Sequence, residues 1–134
     1  MLFRSIDDGP VTVAEGNSAA LPISAEGSYV VGLRAIDNAG YVSRQASQIV
    51  RIDLHAPAVA VTAVRQGATY TGTAPAAGCS TTDALSGVAR NASVSISGGN
   101  GHGTGQFTAT CSGGKDNAGN IAQPVSVTYT ITAN

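Results

Sequence analysis

The chain has 134 residues, of which 43% are hydrophobic and only 11% are charged, and its formal net charge at pH 7 is −1. Soluble domains carry about 25% charged residues, so the polarity of this chain comes mainly from uncharged residues. Because no cluster of Lys or Arg forms a basic face, the composition argues against nucleic acid or an anionic membrane as a partner. No apolar run approaches the ~18 residues that a membrane-spanning helix needs, so we expect no membrane insertion.

The first five residues, MLFRS, show neither the alternation of a strand nor the chemistry of a turn. Leu-Phe-Arg-Ser is also what a common sequencing adapter encodes in one reading frame. Our hypothesis is therefore that residues 1–5 are artefactual and that the gene continues upstream, which leaves secretion open. Helix formers are scarce in the rest of this half and β-branched residues are common, so we predict strands near 10–14, 20–24, 28–36 and 45–53.

The tetrapeptide Asp-Asn-Ala-Gly occurs twice, at 37–40 and at 116–119, with a separation of 79 residues. An Asp side chain accepts hydrogen bonds from nearby backbone N–H groups, Asn tolerates left-handed geometry, and Gly adopts positive φ without steric cost. We interpret both copies as tight turns between two strands. The residues predicted to make them are Asp37, Asn38, Gly40, Asp116, Asn117 and Gly119.

The similarity extends beyond the turns into the strands on either side. An offset of 79 aligns several apolar and serine positions of the following strand: Val42 with Ile121, Ser47 with Ser126, Val50 with Tyr129 and Ile52 with Ile131. Upstream, Gly27-Ser28-Tyr29 corresponds to Gly105-Gln106-Phe107, with one extra residue in the second copy at Gly113-Gly114, where we predict a bulge. The repeated unit is therefore strand, turn, strand.

The repeat length predicts the domain boundaries. One unit is about 80 residues, so residues 58–134 form a complete module and residues 1–53 the C-terminal part of a partial one, which lacks roughly 25 residues. The Pro-containing segment 54–57 is the predicted linker. In the second module we predict strands near 58–65, 68–73, 77–82, 92–97, 105–112 and 123–132, a pattern that favours an all-β sandwich over an α/β fold.

Two cysteines, Cys79 and Cys111, both lie in the complete module. Their spacing is too wide for a redox pair and they offer too few ligands for structural zinc. A disulfide between facing sheets fits better, and it would stabilise the module by roughly 3.5 to 4 kcal/mol in the chain-entropy model. The alternative is two buried free thiols. Because structural disulfides persist in oxidising compartments, a bridge implies an extracellular location.

The stretch from GATYTGTAPAAGCSTTDALSGV to KDNAGNIAQPVSVTYTI resembles the immunoglobulin-like repeat modules of large secreted bacterial proteins, over most of residues 57–132. Residues 10–57 are similar to the end of a related module type. The resemblance implies immunoglobulin-like β-sandwich modules in tandem, the first one truncated, with the Asp-Asn-Ala-Gly turns and the Asp-Ala-Leu-Ser-Gly loop as framework and no catalytic residues. One departure is Tyr41, where such modules usually have Asn.

Titratable side chains in the complete module are few and fall in apparent turns, so the sequence predicts no enzyme and no cofactor. Calcium is the alternative, with ligands at Asp83, Asp116 and Asn120, or at Asp37 with Asp53, but each loop supplies a single Asp. An isopeptide bond at Lys115 is a further alternative that its loop position argues against.

We expect a non-catalytic extracellular spacer whose partners are the neighbouring domains of the same polypeptide. The alternative is a binding module for a glycan or a surface protein, an adhesive role, with contacts at Tyr41, Tyr70 or the glycine-rich loop 98–105.

Overall fold

The computed structural model describes all 134 residues and divides them into two compact units, Met1–Asp53 and Leu54–Asn134. Every regular element is a β-strand, so the predicted all-β class is confirmed. No helix that could span a membrane is present. The two units are described separately below and are called unit 1 and unit 2.

Unit 1 is one four-stranded antiparallel sheet. Its strands are β1 (Leu2–Ile6), β2 (Thr12–Ala14), β3 (Gly27–Ala35) and β4 (Ala46–Ile52), in the order β2-β1-β3-β4. The predicted strand at 20–24 is wrong, because Pro22 in its centre cannot donate to a sheet ladder. Sequence reasoning also missed β1, an inner strand whose five residues are all half-buried and therefore show no alternation of apolar and polar positions.

Unit 2 contains eight strands. They are β5 (Ala58–Thr62), β6 (Thr69–Thr71), β7 (Gly78–Thr82), β8 (Val88–Arg90), β9 (Ser93–Gly98), β10 (Gly105–Ser112), β11 (Lys115–Asp116) and β12 (Val125–Thr132). Six of them are the strands that the sequence predicted, whereas the short pair β8 and β11 was not predicted. The sheets are β6-β12-β10-β9, β5-β7 and β8-β11.

The core of unit 2 lies between the four-stranded sheet and the β5-β7 ribbon. Val64, Ala109 and Tyr129 are its buried members, and Val61 of β5 packs against them. The ring of Tyr129 stacks on Phe107 with a centroid distance of 5.7 Å and meets Tyr70 edge to face at 5.9 Å. Phe107 and Tyr129 both pack in this core, and the layered arrangement is compatible with a β-sandwich.

The hairpins β3-β4 and β10-β12 pair their residues in the same register. Gly27 lies opposite Ile52 in unit 1, and Gly105 lies opposite Ile131 in unit 2. The isolated bridges that follow are also equivalent, at 36 with 42 and at 115 with 121. The extra residue of unit 2 falls at Gly113-Gly114, between β10 and β11, so the strand bulge predicted there is not present. The register shift lies next to it, between Lys115 and Asp116 in the β8-β11 pair.

Candidate functional site

The first Asp-Asn-Ala-Gly turn is closed by its aspartate. Asp37 Oδ1 accepts hydrogen bonds from the backbone N–H groups of Ala39 and Tyr41, both at 2.9 Å. Gly40 N donates to Asp37 O at 3.1 Å, and Asp37 N donates to Tyr41 O at 3.1 Å. The side chain thus holds together a turn of five residues, and it is exposed to solvent.

The second turn repeats these bonds with Asp116 in place of Asp37. Asp116 Oδ1 accepts from Asn120 N at 2.8 Å, Gly119 N donates to Asp116 O at 3.3 Å, and Asp116 N donates to Asn120 O at 3.1 Å. Asn120 adds a bond that Tyr41 cannot make, because its Nδ2 donates to Asp116 Oδ2 at 2.7 Å. Both carboxylate oxygens of Asp116 are therefore hydrogen-bonded, and the residue is completely buried.

A second loop, residues 83–87, packs against this turn. Asp83 Oδ1 accepts from the N–H groups of Ser86 and Gly87 at 2.8 Å each, and from Leu85 N at 3.2 Å. Gly87 has a φ of 84°, a conformation that favours glycine. Asn117 connects the two loops, since its N donates to Gly87 O at 2.9 Å and its Nδ2 donates to Ser86 O at 2.8 Å.

The two loops bring two carboxylates close together, and we call Asp83 and Asp116 the carboxylate pair. Oxygens of these two residues lie within 4.8 Å of each other. The pKa of Asp83 is lowered, with the hydrogen bond from Gly87 N as the largest cause. Together with those from Ser86 N and Leu85 N, it exceeds desolvation and the repulsion by Asp116, both of which act in the opposite direction.

The pKa of Asp116 is lowered as well. Burial is the largest single influence and raises it, but the hydrogen bonds from the side chain and backbone of Asn120, with others from the turn, together exceed that effect. Both carboxylates are thus ionised at neutral pH. The pair offers no proton donor there, and Asp116 has no surface through which it could touch a substrate.

The predicted calcium ligands Asp83, Asp116 and Asn120 do come together. Calcium takes six to eight oxygen ligands, including several carboxylates. Here the Asn120 amide turns its nitrogen toward Asp116 and also donates to His55 O at 3.1 Å. Asp83 Oδ1 and both carboxylate oxygens of Asp116 accept hydrogen bonds from N–H groups of the loops, and these bonds hold the two side chains in place. Asp37 belongs to no group of three metal-ligating side chains.

The cysteines Cys79 and Cys111 form a disulfide, with an S–S distance of 2.05 Å and a Cα–Cα distance of 5.8 Å. Cys79 lies on β7 and Cys111 on β10, so the bond joins the β5-β7 ribbon to the four-stranded sheet. No free cysteine remains in the chain.

Of the aromatic residues proposed to contact a glycan, Tyr70 is poorly placed for that role. Its ring packs on Tyr129, and its hydroxyl accepts a hydrogen bond from Arg65 N at 3.3 Å. Tyr41, in contrast, is 76% exposed on the first turn. Ile36 and Val42, which form the isolated bridge on either side of that turn, line a cavity of about 420 Å³ in unit 1.

The glycine-rich loop between β9 and β10 contains a third turn of the same kind, which sequence reasoning missed. Asn100 Oδ1 accepts from His102 N at 2.9 Å and from Thr104 N at 3.1 Å. Asn100 N donates to Thr104 O at 2.7 Å, and Gly103 N donates to Asn100 O at 3.1 Å. The signal that finds all three turns is Asp or Asn followed three residues later by Gly.

Comparisons of the chain with protein-family models, with curated proteins and with solved structures find no significant match.

Proposed function

We propose that the chain is a non-catalytic spacer segment of a larger secreted or surface protein, built from immunoglobulin-like modules in tandem. The observation that carries this proposal is the pairing of a strand near the start of unit 2 with its last strand. Strand β6, near the start of the unit, pairs in parallel with β12, its last strand.

Parallel pairing of the first and last parts of a module determines how the module responds to tension. A force applied at Leu54 and Asn134 reaches β5 first and, once β5 has separated from β7, acts along β6 and β12. The paired positions of β6 and β12 are then loaded in shear and must yield together. The pairs are Thr69 with Thr130, Tyr70 with Ile131 and Thr71 with Thr132. Resistance to extension is the property that a spacer needs.

The disulfide supports the same proposal. It connects two facing sheets, as the inter-sheet disulfide of immunoglobulin domains does, although the tryptophan that packs on that bond in antibody domains has no counterpart here. A structural disulfide also favours an oxidising location outside the cytosol. Tandem repetition is supported by the common register of β3-β4 and β10-β12.

Single-molecule force spectroscopy tests the spacer role. With the chain held at its two ends between marker domains, we expect unit 2 to unfold in one discrete event. The disulfide closes a loop with a sequence separation of 32, so reduction should lengthen that event by about 3.6 Å per released residue, or roughly 110 Å. A unit that extends without a force peak contradicts the proposal.

A second pulling direction provides the control. Gly101 has open space around the position of a side chain, so a handle-bearing residue can be placed there. Force between residue 101 and Asn134 separates β10 from β12 one pair at a time, since Gly105 lies opposite Ile131. We expect a clearly lower unfolding force in this direction, and equal forces in the two directions would overturn the shear argument.

An adhesive role is the second candidate, and the exposed ring of Tyr41 next to the unit 1 cavity favours it. The cavity is within the 300–1,000 Å³ range of ligand sites and is lined by apolar Phe3 together with the polar side chains of Arg34 and Gln45. Arg34 Nη2 donates to Gln45 Oε1 at 3.1 Å, which orients the guanidinium.

A glycan array probed with the full chain tests this second candidate. Binding that is lost in Tyr41→Ala and in Arg34→Ala, but kept in Arg51→Ala at an exposed arginine on β4, would support adhesion through unit 1. Binding unaffected by the first two substitutions would exclude this site.

A further inference from the structure

Strand β9 is an edge of the four-stranded sheet in unit 2, with β10 on one side and no strand on the other. All six of its residues are exposed. Val94 and Ile96 lie opposite Cys111 and Ala109, so they belong to the face that carries the core, but they are 37% and 51% exposed. The backbone edge and these two apolar side chains are both accessible to a partner.

Unit 1 closes the corresponding edge. Strand β1 pairs with β3 as β9 pairs with β10: Arg4 lies opposite Leu33, and Val94 lies opposite Cys111, in hairpins of the same register. On its other side β1 pairs with β2, through Leu2 with Ala14 and Arg4 with Thr12. The same edge therefore accepts a further antiparallel strand in unit 1, whereas in unit 2 that position is open.

Natural edge strands usually carry devices that prevent pairing with another chain, such as charged side chains, prolines or bulges. The β9 sequence, SVSISG, contains neither a charged residue nor a proline. Its pairing with β10 is regular from Ser93 to Ser97, and only Gly98 at its end has a positive φ, of 98°. The nearest charged residue before it, Arg90, is held by a hydrogen bond from its Nε to Gly113 O at 2.8 Å. Nothing in the strand opposes the approach of a second strand.

The side chains of β9 are arranged so that the strand is complementary to itself. A two-fold axis through Ser95 would place Val94 opposite Ile96 of a second copy, and Ser93 opposite Ser97. Directly opposite residues of an antiparallel pair lie on the same face, so this register matches apolar with apolar and serine with serine. A shift by one residue would set Val94 against Ser97 and lose the match.

We propose that β9 is a homotypic association site, at which two copies of the chain pair their β9 strands antiparallel and join two four-stranded sheets into one of eight strands. Such a contact is isologous and closes on itself, so it produces dimers rather than filaments. In a surface protein it would connect neighbouring spacers side by side. The proposal does not depend on the spacer role, since it rests on the edge and the pattern of β9 alone.

Sedimentation velocity of the full chain at rising concentration provides the first test. We expect a reversible monomer–dimer equilibrium, weakened about tenfold or more by Ile96→Lys, which removes two cross-strand apolar contacts and places two like charges near each other. Ile49→Lys is the matched control, because Ile49 is 55% exposed on β4, an edge strand of unit 1, compared with 51% for Ile96. A chain that stays monomeric, or a dimer that only Ile49→Lys weakens, overturns the proposal.

Cysteine cross-linking tests the register independently. With the axis at Ser95, Ser95→Cys brings two thiols directly opposite each other, whereas Ser97→Cys faces Ser93 of the other copy. We expect a covalent dimer on a non-reducing gel for Ser95→Cys and much less for Ser97→Cys, with retention of the Cys79–Cys111 bond checked by peptide mapping. Equal cross-linking of both variants, or of neither, contradicts the proposed pairing.

Discussion

The hairpins β3-β4 of unit 1 and β10-β12 of unit 2 have the same register and the same five-residue turn, but they are buried to different degrees. Leu33 in unit 1 is 38% exposed, whereas Cys111, at the equivalent position in unit 2, is completely buried. The difference comes from the β5-β7 ribbon, which covers the hairpin of unit 2 and is joined to it by the disulfide. Pairing is thus a local property of the hairpin, whereas burial depends on a second layer.

The two Asp-Asn-Ala-Gly turns also differ in burial, and again the turn of unit 2 is the more buried one. Tyr41 and Asn120 occupy equivalent positions, but only Asn120 has an amide that can satisfy the second oxygen of the aspartate. Together with the loop that Asp83 organises, this bond allows Asp116 to be buried with all its hydrogen bonds made, whereas Asp37 stays in solvent. A buried carboxylate without such partners would be strongly unfavourable.

Removing the disulfide should have the largest effect on the difference in stability between the two units. We expect Cys79→Ala with Cys111→Ala to lower the free energy of unfolding of unit 2 by roughly 3.5 to 4 kcal/mol, because the unfolded chain gains entropy. Urea titration followed by hydrogen-exchange mass spectrometry reports separately on peptides of each unit. Unit 1 is the internal control, and an equal loss of protection in both units would contradict the expectation.

The second-largest effect on stability should come from truncating the side chains at equivalent positions of β12 and β4. Tyr129→Ala should destabilise unit 2 by about 3 kcal/mol, since it removes a buried ring that packs on Phe107 and Tyr70. The equivalent substitution in unit 1, Val50→Ala, removes a half-buried side chain and should cost only about 1 kcal/mol. The same exchange measurement checks both, and similar losses would show that the two hairpins are equally covered.

The turns provide a smaller contrast. Asn117→Ala removes the hydrogen bond from Nδ2 to Ser86 O and should destabilise unit 2 by about 1 kcal/mol. Asn38→Ala, at the equivalent exposed position of unit 1, should change stability by less than about 0.5 kcal/mol. Thermal denaturation of the two variants measures the difference, and a larger loss for Asn38→Ala would be the opposite of what the structure predicts.

The stability of the two units should depend differently on pH in the acidic range. The pKa values of Asp83 and Asp116 are lowered from 3.8 in the folded state, so their stabilising contribution is complete above that value and is lost as the pH falls through the folded pKa values. We expect the urea concentration at the unfolding midpoint of unit 2 to decrease when the pH is lowered below about 4. Asp83→Asn with Asp116→Asn should flatten this dependence, whereas Asp37→Asn in unit 1 should leave it unchanged.

Several features could be predicted from particular residues. The strand near 123–132, the two Asp-Asn-Ala-Gly turns and the extra residue at Gly113-Gly114 could all be predicted, because each is determined by neighbours in the sequence. The pair β8-β11 was not, since Lys115 and Arg90 become partners only after the chain has folded back. The proximity of Asp83 and Asp116 could be proposed from their positions in loops. The hydrogen bonds that the loops make to their carboxylate oxygens could not be predicted.

The third turn shows why identical letters are a limited guide. Asn100 makes the same backbone bonds as Asp37 and Asp116, although its sequence, Asn-Gly-His-Gly, shares only the final glycine with theirs. The three turns have in common a short side chain with an acceptor oxygen and a glycine three residues later. The φ of that glycine is positive in each turn, at 89° for Gly40, 78° for Gly103 and 99° for Gly119. The tetrapeptide alone identifies a turn, and only the strands around it point to a repeat.

By itself, the sequence determined the all-β class, most of the strands and the turns, because these depend on residue preferences and on side chains that bond to their own backbone. Only the tertiary structure decided which aspartate is buried, which faces are covered and that β9 is left without a partner. Those properties depend on desolvation by residues distant in the chain, and local patterns contain no information about such neighbours.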